Sequence, residues 1–105
     1  MSQVAVVEGT LHVHTGDSRI WAINVSAVTT SPSASGTVQI YDITAGGASA
    51  SLVTSGSLTA SGTNVILPTI GGTGWQAEHR YRVDATFSDG SGNTFVRSIF
   101  VQVDF

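Results

Sequence analysis

The sequence predicts an all-β protein: an antiparallel β-sandwich of about seven to eight strands in a single domain, residues 1–105. Apolar and polar residues alternate with a period of two along most of the chain, and no segment shows a sustained helical period. Clusters of Gly, Ser, Pro, Asn and Asp separate these alternating segments at intervals of about ten residues. A chain of 105 residues is long enough for one modest hydrophobic core.

Alternating β-branched and aromatic residues define the strand candidates, which are residues 4–9, 10–15, 19–28, 37–43, a weak segment before the turn at Ser61 and Gly62, then 64–67, 79–88 and 94–104. Small and turn-forming residues predict connections at 29–36, 44–51 and 69–75. Pro68 ends the strand 64–67, because proline cannot donate to a sheet ladder. Trp21 lies in the middle of an alternating strand, and we expect it in the core.

The last two strands are the strongest candidates, and the sequence SDGSGN between them predicts a tight hairpin. Its glycines and Asn93 tolerate the positive φ that such turns need. The second strand of the hairpin, residues 94–104, is unusual because it is apolar on both faces. A half-exposed strand normally alternates, so this surplus predicts that something covers its outer side.

Two registers of the hairpin are compatible with the sequence, and a slip of one residue exchanges the faces of the last strand. In the first register Asp84 lies opposite Arg97 as a cross-strand charge pair, and Val96 and Phe100 face inward. In the second register Arg97 points inward, and Val96 and Phe100 face outward. We favour the second for the C-terminal half, with a bulge near Arg97 as a way to reconcile both. It buries the larger apolar set: Phe95, Ile99, Val101 and Val103.

An outer apolar stripe that includes Phe100 remains in this interpretation. Two explanations stay open: the segment 44–54 folds over the stripe, or another subunit covers it. The N-terminal sequence VAVV is also apolar on both faces and is a candidate for a shared edge strand. The residues predicted to contact a partner are Val96, Phe100, Val4, Val6 and Trp75.

Composition excludes several classes of protein. The chain has only four basic and seven acidic residues, no lysine and a net charge of −3, which argues against a nucleic-acid partner. There is no cysteine for a disulfide or a thiolate site. No apolar run approaches the roughly 20 residues of a membrane span, and the N-terminus lacks the pattern of a secretion signal. We therefore expect the chain to fold in a cytoplasm, without a membrane partner. Its charge-poor surface suits a protein that packs against neighbours.

The sequence contains no convincing catalytic or metal-binding pattern. His12 and His14 share one strand face, but nothing nearby completes a ligand set, so exposed polar residues are the better interpretation. Glu8, Asp17 or His79 is available in principle as a further ligand, but the spacing alone does not indicate a site. The acidic residues are scattered, and SDGSGN lacks the carboxylate pattern of a calcium loop. We expect no enzymatic activity, no cofactor and no bound metal.

Two aromatic residues near the last hairpin have competing interpretations. Tyr81 follows a glycine-rich corner, which is typical of the tyrosine corner of immunoglobulin-like sandwiches, where the hydroxyl bonds backbone a few residues upstream. It is otherwise an ordinary core tyrosine. Trp75 either stacks on a sugar or a partner protein from an exposed loop, or plugs the corner before Tyr81. We favour the plug.

Several short motifs give the chain a resemblance to a known family. They are Thr15-Gly16-Asp17 followed by Trp21 and Ile23, then Val38, Ile40 and Asp42, and finally Tyr81, Arg82, Val83, Phe87, Gly92 and Thr94. This pattern, which covers most of the chain, resembles that of small immunoglobulin-like virion proteins of tailed bacteriophages.

The resemblance implies an immunoglobulin-like sandwich with a structural, non-enzymatic role in a virion, as a capsid decoration, a head–tail or tail component, or a fibre adaptor. It implies many copies in a symmetric assembly, with the major capsid or tail protein as partner. Assembly in the host cytoplasm agrees with the N-terminal sequence. The alternative is a glycan-binding or adhesion module that uses Trp75 and the loops 44–51 and 69–75.

Overall fold

Short strands account for most of the chain. The computed structural model describes the backbone of residues 4–6 and all of residues 10–104 except the side chains of residues 34 and 35. In these ranges the strands are β1 (Val4–Val6), β2 (Thr10–Val13), β3 (Ser18–Asn24), β4 (Pro32–Asp42), β5 (Ala48–Ser49), β6 (Val53–Ser55), β7 (Thr59–Ser61), β8 (Asn64–Ile66), β9 (Thr69–Gly71), β10 (Arg80–Asp89) and β11 (Thr94–Val103). A 3₁₀ turn, Gly72–Gly74, follows β9, and the same ranges contain no α-helix.

The strands form two sheets, which confirms the predicted all-β sandwich. The first sheet has five strands in the order β2–β11–β10–β4–β5. The second has the order β6–β9–β3–β8–β7, with β1 beside β3. Among the strands described, β1 with β3 and β2 with β11 are parallel and the other pairs are antiparallel. Both sheets contribute to one core, whose larger members are Trp21, Leu67, Ile70, Trp75, Tyr81 and Phe87.

The described strands outnumber the eight predicted segments by three: β5 and β9 lie in segments predicted as connections, and the weak segment before Ser61 forms two strands, β6 and β7. The predicted connections at 44–51 and 69–75 are therefore wrong at 48–49 and 69–71, where pairing with β4 and β3 makes them strands.

β8 and β9 pair one after the other with the same strand, β3. Leu67 and Pro68 separate them, and both residues are buried. Proline has no N–H to offer the ladder, so the pairing stops and restarts on its far side.

β4 is longer than the sequence predicts. A loop is predicted at 29–36, but β4 already begins at Pro32, so the prediction is wrong for the second half of that segment. The cause is the partner strand: β10 places Phe87 opposite Gly36. A Cβ at Gly36 would overlap the backbone oxygen of Thr86, so glycine permits this close approach. Local composition does not contain this information.

β10 and β11 pair in the second of the two predicted registers. Val83 lies opposite Ile99, and Asp84 lies opposite Ser98 and not Arg97, so the first register is wrong. The pairing continues through the hairpin without a register shift, so the bulge suggested near Arg97 is wrong as well. The favoured inward residues accordingly lie in the core or pack against it: Phe95, Ile99, Val101 and Val103.

A glycine-rich corner links the turn between β2 and β3 to the end of β9. Gly72 donates its N–H to the carbonyl of Asp17 (2.7 Å), and Gly16 donates to the carbonyl of Gly72 (3.0 Å). The indole N–H of Trp75 donates to the same Asp17 carbonyl (2.9 Å). Gly71 has a φ of 119°, and a Cβ there would overlap both the Asp17 carbonyl and the Trp75 ring. The Thr-Gly-Asp motif therefore has a structural role in this corner.

We expect Gly71→Ala to lower the free energy of unfolding by about 3 kcal/mol or more, because it adds a backbone overlap to an unfavourable φ. Gly46→Ala is the matched control, since Gly46 also has a positive φ (79°) but nothing lies within 4 Å of its added Cβ. Its expected loss is about 1 kcal/mol, from the left-handed backbone alone. Urea unfolding measures both, and equal losses would contradict this account of the corner.

Candidate protein interface

The side of the five-stranded sheet that faces away from the core is the main candidate for a partner surface. We call it the outer face. From Arg80 to Ser88 of β10, buried residues alternate with more exposed ones, which places every second side chain on this face. The members used below are Gln39 and Tyr41 of β4, Arg80, Arg82 and Asp84 of β10, and Val96, Ser98 and Phe100 of β11.

Two arginines lie over aromatic rings at the centre of the outer face. The guanidinium carbon of Arg80 is 4.9 Å from the centre of the Phe100 ring, and that of Arg82 is 4.9 Å from the centre of the Tyr41 ring. Both distances are within the range of a cation–π contact. The register explains the second contact, because Arg82 is paired directly with Tyr41 on β4.

Asp84 connects Arg82 of β10 to Ser98 of β11. One of its oxygens lies 3.1 Å from Nε of Arg82, and the same oxygen accepts a hydrogen bond from the Ser98 hydroxyl (2.6 Å). The outer face therefore carries a connected row of aromatic rings, arginines and one carboxylate. The sequence shows that Arg80 and Arg82 share a face with Asp84, but it does not show that Tyr41 and Phe100 lie beneath the arginines.

The predicted outward orientation of Val96 and Phe100 is confirmed, but the two residues differ in exposure. Val96 is 52% exposed, more than any other large hydrophobic side chain among the described residues. Phe100 is partly buried and lies beneath Arg80. The apolar stripe is therefore fully open only at Val96.

The segment 44–54 does not cover this stripe, so that explanation is wrong. Its residues Ala48 and Ser49 pair with the far edge of β4, and Leu52 then enters the core. Ser49 is three strands away from Phe100 across the sheet, which corresponds to about 14 Å at normal strand spacing.

The remaining interface predictions have different outcomes. Trp75 is only 2% exposed, so its prediction as a contact residue is wrong and the plug interpretation is confirmed. Its ring meets Tyr81 edge to face, with the ring centres 5.1 Å apart. The backbone of Val4 and Val6 belongs to β1, which pairs with β3. Their side chains lie outside the described part of the structure, so their contact role stays a prediction.

Tyr81 makes the hydrogen bond predicted for a tyrosine corner. Its hydroxyl accepts from the backbone N–H of Gln76, five residues upstream (3.1 Å). Burial raises the pKa of this hydroxyl; the Gln76 hydrogen bond opposes the shift and the nearby Asp42 carboxylate adds to it. The hydroxyl therefore remains protonated at neutral pH, and its hydrogen bond stabilises the fold.

A buried carboxylate beside Tyr81 was not evident from the sequence. Asp42, at the end of β4, accepts from the backbone N–H of Ala45 (3.1 Å) and lies 2.7 Å from Nδ1 of His79. It lines a shallow cavity of about 280 Å³ together with Gln76 and Tyr81. Both carboxylate oxygens are engaged, so the pair ties the end of β4 to the start of β10. The sequence offered only an Asp at the end of β4 and a His before β10, and five strands separate the two in the chain.

The histidines are dispersed over separate contacts. Nδ1 of His12 lies 3.1 Å from Asp104, and the backbone N–H of His14 donates to Asp17 (3.0 Å). That hydrogen bond and the nearby Arg19 lower the pKa of Asp17. Within residues 4–6 and 10–104, no three His, Cys, Asp or Glu residues come together as a metal site would require.

Asp89 organises the turn of the β10–β11 hairpin. One carboxylate oxygen accepts from the backbone N–H groups of Ser91 (2.9 Å) and Asn93 (3.0 Å), and Gly92 has a φ of 86°. Partial burial raises the pKa of Asp89, but the hydrogen bonds from Asn93 and Ser91 outweigh this effect and leave the pKa lowered. The predicted turn is confirmed. The Asp89 carboxylate accepts its hydrogen bonds from the backbone of the same turn.

Comparison with known proteins does not extend this picture: no family model, curated protein or solved structure matches the chain. The residues described include no helix long and apolar enough to cross a membrane.

We expect Tyr81→Phe to lower stability by about 1 kcal/mol, because it removes the hydrogen-bond acceptor of the Gln76 N–H. The melting temperature should fall by about 4–8 °C. Tyr41→Phe is the matched control, because the Tyr41 hydroxyl has no hydrogen bond to any described residue and its ring would remain beneath Arg82. Thermal unfolding followed by circular dichroism tests both, and an unchanged melting temperature for Tyr81→Phe would refute the corner hydrogen bond.

Asp89→Asn should cost stability at pH 7 and progressively less in acid. Because the folded pKa lies below the unfolded value of about 3.9, the carboxylate stabilises the fold above that value. The contribution disappears as the pH falls through the folded pKa. The gap in melting temperature between wild type and Asp89→Asn should therefore close between pH 5 and pH 2, and a constant gap would show that the charge has no such role.

Proposed function

We propose that the protein is a non-enzymatic structural component of a tailed-bacteriophage virion, either a capsid decoration or a tail or adaptor protein. It works by packing against other virion proteins in a multi-copy assembly. The sequence motifs support this proposal through their resemblance to small immunoglobulin-like virion proteins. The two-sheet sandwich and the Tyr81 hydrogen bond agree with the immunoglobulin-like fold that the resemblance implies.

The observation that carries the proposal is the outer face of the five-stranded sheet. Tyr, Phe and Arg are enriched at the centres of protein interfaces, and here they occupy neighbouring positions on one broad sheet surface. Val96 adds an open apolar contact at the margin of the same face. The arginines are held over the rings before binding, so part of the ordering cost of a contact has already been met.

The proposed partners are the major capsid or tail protein and further copies of this chain, with the virion as location. On the outer face, Asp84 offsets the charge of Arg82, and the whole chain carries a net charge of −3. A phosphate backbone needs clustered basic residues, so nucleic acid is not proposed as a partner. The charge-poor surface also fits a chain that is largely covered by neighbours.

The glycan-binding alternative has no supporting observation. Trp75 was its aromatic platform, and this residue is buried against Tyr81. The loops at 44–51 and 69–75 contain no other aromatic residue on which a sugar ring could stack.

Phe100→Asp should reduce incorporation into particles by at least about tenfold, because it places a charge in the centre of the proposed contact. The test supplies wild-type or variant protein to a host infected by a phage that lacks the gene, and measures the chain in purified particles by mass spectrometry. Val53→Asp is the matched control, since Val53 is 41% exposed but belongs to the other sheet.

Wild-type incorporation of Phe100→Asp, together with a purified chain that stays monomeric at high concentration, would show that this packing mechanism is wrong. A gene that lies outside any phage genome would remove the virion proposal altogether.

A further inference from the structure

One short segment of the sandwich crosses from one sheet to the other. Residues 48–55 contain β5, which belongs to the five-stranded sheet, and β6, which belongs to the second sheet. We call residues 48–55 the strap. Gly47 precedes the strap and Gly56 follows it, and both have a φ of 84°. A glycine at each end gives the backbone the freedom that a hinge needs.

A single buried side chain attaches the strap to the core. The structure describes every residue of the strap, and among them Leu52 alone is buried, with 3% of its surface exposed. Ala50 is half-buried and packs against the core, and the other strap residues are exposed. Val53, the second large apolar side chain of the strap, is 41% exposed. Most of the strap therefore gains nothing from burial.

Shallow cavities lie along the strap, and Leu52 lines two of them. One is the cavity of about 280 Å³ beside Asp42 and Tyr81. The other, of about 230 Å³, separates residues 50–53 of the strap from residues 38–40 of β4. Protein interiors are normally close-packed, and atoms that line a gap lose the contacts that a filled site would provide. The strap is thus loosely packed on the sandwich.

The backbone contacts of the strap are divided between the two sheets. On one side, the N–H of Ala50 donates to the carbonyl of Ile40 (2.8 Å), next to the short β5–β4 pairing. On the other side, the carbonyl of Leu52 accepts from the N–H of Gly71 (2.8 Å), next to the β6–β9 pairing. Detaching the strap breaks these contacts but leaves β10 paired with both β4 and β11.

We propose that the strap is a conformational device: it opens and recloses as one unit in the native protein while β10, β11 and β4 stay paired, and Leu52 is the side chain that holds it closed. Stability is not uniform within a protein, and a unit with few buried contacts opens at a lower free energy than the core strands. No partner enters this inference, so it does not depend on the proposed virion role.

Opening uncovers groups that are paired or buried in the closed protein. The carbonyl of Ile40 on one sheet and the N–H of Gly71 on the other lose their partners. The apolar site that Leu52 fills also becomes accessible. A partner that binds only these groups would shift the population towards the open state. The strap therefore controls access to a surface between the two sheets.

Amide hydrogen exchange of the wild-type protein, resolved by NMR, is the first test. The amides of Ala50 and Gly71 report the two sides of the strap, and a unit opening gives both the same protection. They should exchange at least about a hundredfold faster than the β10 amides, because opening leaves the β10 pairings intact. Low concentrations of urea should change their rates little, since a local opening exposes little surface.

Leu52→Ala and Leu58→Ala form a matched pair of variants, because both leucines are 3% exposed. Leu52→Ala should accelerate exchange at Ala50 and Gly71 by at least about thirtyfold, since it removes the contact that holds the strap closed. Leu58 lies beyond Gly56, close to Gly36 of β4, and keeps its contacts when the strap opens. Leu58→Ala should therefore accelerate exchange in β10 and leave the two strap reporters unchanged.

Circular dichroism shows whether each variant is folded, and the wild-type comparison needs neither of them. Exchange of Ala50 and Gly71 at the β10 rate, with the same urea dependence, would overturn the inference. So would equal acceleration of these two amides by Leu52→Ala and Leu58→Ala. Wild-type protection that differs by more than about tenfold between Ala50 and Gly71 would show separate fraying of the two sides, and no unit opening.

Discussion

The uninterrupted pairing of β10 with β11 is the constraint on which the rest of the structure depends. With Val83 opposite Ile99, one set of side chains fills the core and the other forms the outer face. A slip of one residue would exchange the two sets, moving Ile99 out and Phe100 in. The same register places Arg82 between Phe100 and Tyr41, so the proposed interface and the core have a single cause.

At the corners of the sandwich, polar side chains that could otherwise contact a substrate are engaged in hydrogen bonds within the fold. Trp75 and Tyr81 each bond a backbone group, and Asp42 is held by Ala45 and His79. Groups engaged in this way hold strand ends in place, and they offer little to a substrate. This is why we look for function on the outer face, where aromatic, arginine and valine side chains meet solvent.

Much of the fold follows from the sequence because its signals are local. Alternation identified β10 and β11, and the larger apolar set on one face of β11 selected the correct register. The same rule placed Trp21 in the core. For Tyr81, the glycine-rich segment before it suggested the backbone hydrogen bond that the structure contains, but an ordinary core tyrosine was an equal alternative.

The remainder depends on distant partners, which a single sequence does not reveal. Pro32 to Gly36 is a strand only because β10 lies beside it. The arginine contacts on Phe100 and Tyr41 require side chains from three strands.

Hydrogen–deuterium exchange of the assembled and dissociated chain tests the central claim, that the protein acts by packing through the five-stranded sheet. If that claim is correct, amide exchange in the segment 94–100 slows on assembly, because the outer face loses water. The buried core strand β3 should change little. Unchanged exchange at 94–100, with new protection confined to the second sheet, would contradict the account.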